Sequence, residues 1–413
     1  MLYEEKIKIG HKCNIVSLSK NSGKRLIVFH MIVVAVAICF VLLYLTPMRN
    51  VVGSSINGFA GNFANKVGES LGTVKMPDGS DNIKREPSSM LIKGSYYSES
   101  YSFNGKIPES ATKIVFTDEK APKGVSTVDL TKAQDEDVVG WLDGTTWKVS
   151  TQDSKKKITF NTDSSWMFYR NAYRVKEIQF NNVDTSQVTN MNNMFNELSN
   201  LTKLDLSSFD TSQVKYMNDM FAWCRNLKKL DLSTFDTSNV TSMDSMFNGC
   251  GNLQELDISH FNTSKVTNMS GMFCNCSNLT MLDLSHLDTR NVTNMRSMFS
   301  SMDKIETLDL SDFDTSRVTN MAHMFLQCYR LKNLDLSSFD TSNVVNMEWM
   351  FESMSDVEML DLSSFDTSKV TNMSEMFFQS SKLKTDKVRS KSDIDNIKTK
   401  ATKTPTKVMF EIK

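Results

Sequence analysis

Three residue types recur in this 413-residue chain at a spacing that could support chemistry. Cys224, Cys250 and Cys276 stand 26 residues apart, and Cys328 lies two periods further on. Thiols at a constant interval could pair as disulfides or hold zinc. Asp205, Asp231, Asp257, Asp283, Asp309, Asp335 and Asp361 follow the same period. Aligned carboxylates could bind Ca²⁺ or act as an acid–base pair. Two methionine columns, Met191 to Met373 and Met194 to Met376, could line a soft partner groove.

Each possibility competes with plain packing. The Cys slot is filled elsewhere by Leu198, Met302, Met354 and Ser380, and a slot that accepts Leu and Met is a core slot. Neighbouring slots in a stack lie about 5 Å apart, so a Cys224–Cys250 or Cys250–Cys276 disulfide stays open. Cys274 and Cys276 form the one close pair in the repeats, and no His is spaced to complete a zinc site with them. The Met columns align with a Phe column from Phe195 to Phe377, which assigns them to the interior. The Asp column sits between inward leucines such as Leu204 and Leu206, so strand alternation points it outward, onto an expected concave face. Carboxylates at that spacing repel by about 3 kcal/mol per neighbouring pair at an effective dielectric near 20. Hydrogen bonds from the Ser207-type column, raised pKa values or bound Ca²⁺ would each relieve this. Equivalent carboxylates do not separate an acid from a base. There is no nucleotide-binding glycine loop, and the five His are scattered. No catalysis, resident metal or cofactor is expected.

These columns need a repeating element to position them. Leu204, Leu230, Leu256, Leu282, Leu308, Leu334 and Leu360 are each 26 residues apart, with Ile178 one period earlier, which frames eight repeats over residues 178–385. In residues 201–226, LTKLDLSSFDTSQVKYMNDMFAWCRN, the alternation at Leu204 and Leu206 predicts a short strand, and SFDTS a turn. Met217, Met220, Phe221 and Cys224, at offsets zero, three, four and seven, predict one face of a two-turn helix. Thr241 and its equivalents would be the N-caps. One such unit is too small to hold itself together, so the expected fold is an α/β solenoid with a parallel sheet on one face and short helices on the other.

Specificity would then be written where outward slots vary. Beside the Asp column stand Lys203, Lys229, Glu255 and Met281, which with the seven aspartates form the candidate ligand surface. On the helix side, Trp223, Trp349, Leu326 and Phe378 replace polar residues and are candidate interface anchors.

Around the repeats, residues 96–177 read as a β-rich N-terminal capping module, with TKIVF, VVGWL and TTWKVS separated by turn signals. Residues 386–413 read as a C-terminal cap whose KVMFEIK supplies a last strand, and residues 46–95 as a flexible stalk. Residues 26–45, LIVFHMIVVAVAICFVLLYL, are long enough to span a bilayer. Lys20, Lys24 and Arg25 before them place residues 1–25 in the cytoplasm and the repeats outside, a single-pass cell-membrane topology. A cleavable signal peptide is the competing reading, although its apolar stretch is usually shorter. A formal net charge of -1 argues against nucleic acid as the partner.

The strings LDLSSFDTS and VTNM, and MF followed by CxNL, resemble the BspA-like leucine-rich-repeat family of bacterial surface proteins. ATKIVFTDEKAP, DVVGWLDGTTWKVST and NTDSSWMF resemble the module that leads into such repeats, so the likeness covers about residues 108–385. The resemblance implies a right-handed leucine-rich-repeat superhelix at the cell surface. It also implies adhesion to host or neighbouring-cell proteins, and no enzymatic activity. A structural, self-associating envelope protein is the alternative. The chain carries no LPxTG-like sorting motif, so residues 26–45 are expected to serve as the anchor.

Overall fold

Ile114 and Phe116 are buried while Lys113 and Val115 are half-exposed, the alternation of a strand with one face on a core. That strand, β1 (Lys113–Phe116), belongs to a computed structural model that describes residues 89–97, 99–133, 136–169, 173–405 and 408–413. β2 (Val128–Asp129), β3 (Val139–Asp143) and β4 (Thr146–Ser150) follow. β3 and β4 form an antiparallel hairpin closed at Asp143↔Thr146, where Gly144 takes a φ of 61°. β5 (Ile158–Thr159) pairs with β7 (Val183–Asp184), and β6 (Glu177–Phe180) and β8 (Lys203–Leu204) open the repeats. The sheet order β2-β3-β4-β1-β6-β8 runs without a break into the first repeats, with β1 parallel to both β4 and β6. Phe103, Phe116, Trp147 and Phe168 fill the space behind it. Phe168 stacks on Phe195 at 5.2 Å and so begins the Phe column.

The expected short helices are absent: residues 217–224 and their equivalents form a ribbon of tight turns. The N–H groups of Met217, Asp219, Phe221 and Trp223 donate to the carbonyls of Ser242, Asp244, Met246 and Asn248 in the next coil. Those of Met220, Ala222 and Cys224 donate back to Met217, Asp219 and Phe221 in their own coil. A helix would satisfy all these groups internally and leave the coils unlinked, whereas the ribbon alternates and stitches coil to coil. The alternation needs left-handed residues, and two occur per coil, such as Asp219 (φ 52°) and Trp223 (φ 60°). The offset pattern of apolar residues survives the change. Met217, Met220, Phe221 and Cys224 are fully buried, as are their equivalents through the stack. Thr241 is not an N-cap. Its N–H and hydroxyl both bond the Lys215 carbonyl one coil earlier.

The strand side also differs from expectation. Parallel bridges run without interruption through Asp163, Asn190, Tyr216, Ser242, Asn268, Asn294, Asn320, Asn346 and Asn372, which lie beside the ribbon. The Leu–Asp edge is patchy. After β8 its strands are β9 (Thr307–Leu308), β10 (Asn333–Leu334) and β11 (Met359–Leu362). Among the described residues none forms at Leu230, Leu256 or Leu282.

Behind the FDTS turns a buried threonine ladder joins the coils. Thr211 Oγ1 donates to the Asp236 carbonyl at 3.0 Å, and Thr341 Oγ1 does the same to Asp366. The stack continues past residue 384. β12 (Thr385–Val388) pairs in register with β11, α1 (Lys391–Lys400) lies against the last FDTS turn through Thr367 and Val370, and β13 (Met409–Ile412) pairs with β12. Thr367 has no further coil carbonyl to meet, and the Asp393 carboxylate takes that place.

Cys224, Cys250, Cys276 and Cys328 are free and fully buried. Each Sγ donates to the carbonyl of the Phe 29 residues earlier, Cys250 to Phe221 at 3.2 Å. Ser380 makes the same bond to Phe351, at 2.6 Å. Burial pushes the Cys250 and Cys328 thiols up to about 12, so neither is a thiolate at neutral pH. Cys250→Ser keeps this bond and should cost less than about 1.5 kcal/mol in a denaturant melt. In the wild type, Cys250 should be modified by a thiol reagent only as fast as the stack opens.

The proposed membrane-spanning residues 26–45, the flanking residues 1–25 and most of the stalk lie outside the described residues. Among the described residues no helix is long and apolar enough to cross a membrane.

Candidate functional site

The Asp column is kept apart from mutual repulsion by its own chain. The Oδ1 atoms of Asp205, Asp257, Asp283 and Asp309 each accept the backbone N–H (3.0 Å) and the hydroxyl (2.7 Å) of the Ser two residues on. Asp231 and Asp335 accept the N–H of Ser233 and Ser337. Asp361 accepts that of Ser363 and also pairs with Lys413. Serine hydrogen bonding, one of the reliefs expected, is present, and from Asp231 to Asp361 the pKa values move opposite to the raised expectation. Hydrogen bonds from Ser259 and Ser285 hold the Asp257 and Asp283 carboxyls below their ordinary value. Donors aimed at the ionised form stabilise it more than exposed neighbours destabilise it. Among the described residues no group of three or more His, Cys, Asp or Glu is placed to hold a metal ion.

Four of the predicted residues converge. Glu255, Asp257, Met281 and Asp283 line an open depression of about 580 Å³, together with Gln254, Leu256, Asn278, Thr280 and Lys304. It coincides with the coils where the Leu–Asp edge forms no strand. Further along, the same edge is tied by ion pairs one period apart. Lys332 meets Glu306 at 2.7 Å, and Lys384 meets Glu358 at 2.9 Å. In the depression that column reads Gln254 and Thr280, which carry no charge to pair, and Met281 is 80% exposed. The floor therefore offers three carboxylates, one ammonium and one soft apolar side chain. It suits a partner that brings cations and an apolar group, and nothing in it differentiates an acid from a base.

The remaining candidates are placed elsewhere. Lys203 is exposed on β8, and Lys229 spends its charge on Glu255 in an exposed pair at 3.3 Å. Exposed pairs of this kind are worth little. The four supposed helix-face anchors lie on the turn ribbon, and all are half-buried. Trp349 stacks on His323 at 5.4 Å, and Phe378 lies under the Lys403 ammonium. Trp223 lies over Gly249 and carries Arg225 on its ring at 5.0 Å. Leu326 sits in the ribbon slot one period after Ser300. Sequence reasoning missed Gln254, Asn278, Thr280 and Lys304. For Gln254 and Thr280 the signal was the loss of the charge alternation seen at Glu306, Lys332, Glu358 and Lys384.

Comparison with known proteins matches residues 162–256, 249–356 and 301–411 to a family described as "Mycoplasma protein of unknown function, DUF285". No curated protein matches the chain. Among solved structures, a leucine-rich repeat protein from Bacteroides ovatus is similar at 17% identity and a TM-score of 0.38, over 66% of this chain and 70% of that one.

Proposed function

The chain belongs to the DUF285 family, and from that membership and the surface described above we propose a cell-surface binding protein that recognises macromolecular ligands. In this reading the stacked coils are a BspA-like, right-handed leucine-rich-repeat solenoid. Residues 26–45 anchor it in the cell membrane with the repeats outside, and its task is adhesion to proteins of a host or neighbouring cell. The observation that carries the proposal is the depression at Glu255, Asp257, Met281 and Asp283. There an acidic floor with a protruding methionine stands where later coils carry the Glu306–Lys332 and Glu358–Lys384 ion pairs. A protein segment with Lys or Arg beside an apolar side chain would match it in charge and in kind.

The test is binding of the full chain to immobilised extracellular-matrix and cell-surface proteins, compared with Met281→Lys and with Asp257→Asn/Asp283→Asn. Each variant should weaken capture about tenfold, a loss typical of one anchor. Equal capture by all three forms would overturn the site. Light scattering addresses the alternative reading, a self-associating envelope protein. Concentration-dependent oligomers with no captured ligand would replace the adhesive role.

A further inference from the structure

The methionines divide sharply by exposure. Among the described residues all but three are at most 4% exposed, whereas Met281 is 80%, Met409 62% and Met359 60% exposed. The three share one outward column. Met281 and Met359 stand three periods apart in it, and in-register pairing through Thr385 places Met409 there too. The residue after each, Leu282, Leu360 and Phe410, packs against the core, so alternation turns the methionine itself to solvent. Elsewhere the column is polar, with Lys203, Lys229, Glu255, Thr307 and Asn333. Core packing therefore does not account for these three thioethers. Exposed thioether sulfur reacts with two-electron oxidants, while sealed sulfur reacts only when the structure opens.

We propose that Met281 is a reversible oxidation site whose sulfoxide form releases the partner from the Asp-face depression, an inference that rests on the binding role proposed above. The oxidant is hydrogen peroxide. The sulfur lone pair attacks one peroxide oxygen, the O–O bond breaks, and the other oxygen leaves with both protons as water. The thioether is oxidised to a sulfoxide and the peroxide reduced to water. Met281 stands among Glu255, Asp257 and Asp283. A sulfoxide there adds one more acceptor to a floor of carboxylates and removes the protruding apolar contact. The interior methionines are sealed, so a dose that converts Met281 leaves the stack folded. Sulfoxide reductases reverse the change. Met359 and Met409 lie outside the depression and serve as internal controls.

Peptide mapping by mass spectrometry after graded peroxide treatment of the full chain tests the site without any ligand. Met281, Met359 and Met409 should each gain an oxygen more than about tenfold faster than Met243 or Met295. Capture by the immobilised proteins should then fall about tenfold as Met281 is converted, and return after treatment with sulfoxide reductases. The ratio of capture after peroxide to capture before it should be unchanged in Met281→Leu. In Met359→Leu/Met409→Leu it should fall as it does in the wild type. Oxidation of Met243 as fast as Met281, undiminished wild-type capture at full conversion, or an equal fall in Met281→Leu would each overturn the switch and leave the binding role standing. An untreated chain that captures nothing would overturn the binding role and the switch together.

Discussion

Asp393→Ala should cost about 3–5 kcal/mol and unravel the last coil before the rest of the stack, because it leaves a buried site without its charge. Asp393 is 2% exposed. Its carboxylate accepts the Thr367 N–H at 3.0 Å and the Thr367 hydroxyl at 2.7 Å, and it also takes Arg389 Nε and the Ser390 hydroxyl. Everywhere else the threonine ladder ends on a carbonyl of the next coil, and this side chain stands in for the coil that is missing. Burial opposes its charge, but those donors outweigh burial and pull the pKa down to about 2. The folded value is thus below the ordinary one near 3.8, so the stabilisation is fully present above about pH 4. It fades as pH falls from there toward 2, and amounts to about 2.5 kcal/mol at neutral pH. Asp393→Asn keeps an acceptor for Thr367 but loses the pair with Arg389, so it should cost less and flatten the acid limb. Hydrogen exchange at pH 7 should show amides of residues 385–388 losing protection in Asp393→Ala while those of residues 214–224 keep theirs. Uniform loss along the stack, or an acid limb unchanged in Asp393→Asn, would contradict the capping role.

Phe247→Ala should cost about 3–5 kcal/mol and split unfolding into two transitions. The Phe247 ring stacks between Phe221 at 5.8 Å and Phe273 at 6.0 Å, in a run of nearly parallel rings that continues to Phe377. Each coil touches only its neighbours, so an empty ring position weakens both interfaces it served, in the middle of the stack. A denaturant melt followed by circular dichroism should become biphasic. The volume-conserving change Met246→Leu should stay under about 1.5 kcal/mol and remain a single transition. A single, merely shifted transition for Phe247→Ala would mean that the coils unfold as one body.

Much of this was legible in the residues alone. The 26-residue period, the inward Met, Phe and Cys columns and the outward Asp column follow from apolar spacing, which any backbone that buries those side chains must obey. Met217, Met220, Phe221 and Cys224 are interior in a helix or in a turn ribbon alike, so their pattern could not tell the two apart. The clue lay between them. Asn193, Asp219, Gly249, Gly271 and Asn275 recur where a left-handed residue is needed, and such residues accept it most readily.

By itself, then, the sequence determined the periodicity, the contents of the core and the need to stack. Tertiary structure decided which backbone groups do the stacking. Once coils lie side by side, hydrogen bonds from one to the next outweigh a two-turn helix that would serve only itself. It also decided where the Leu–Asp edge stays open. That depends on how Gln254 falls against Thr280 and Met281, a full period away in sequence, a relation that only the register of the stack creates.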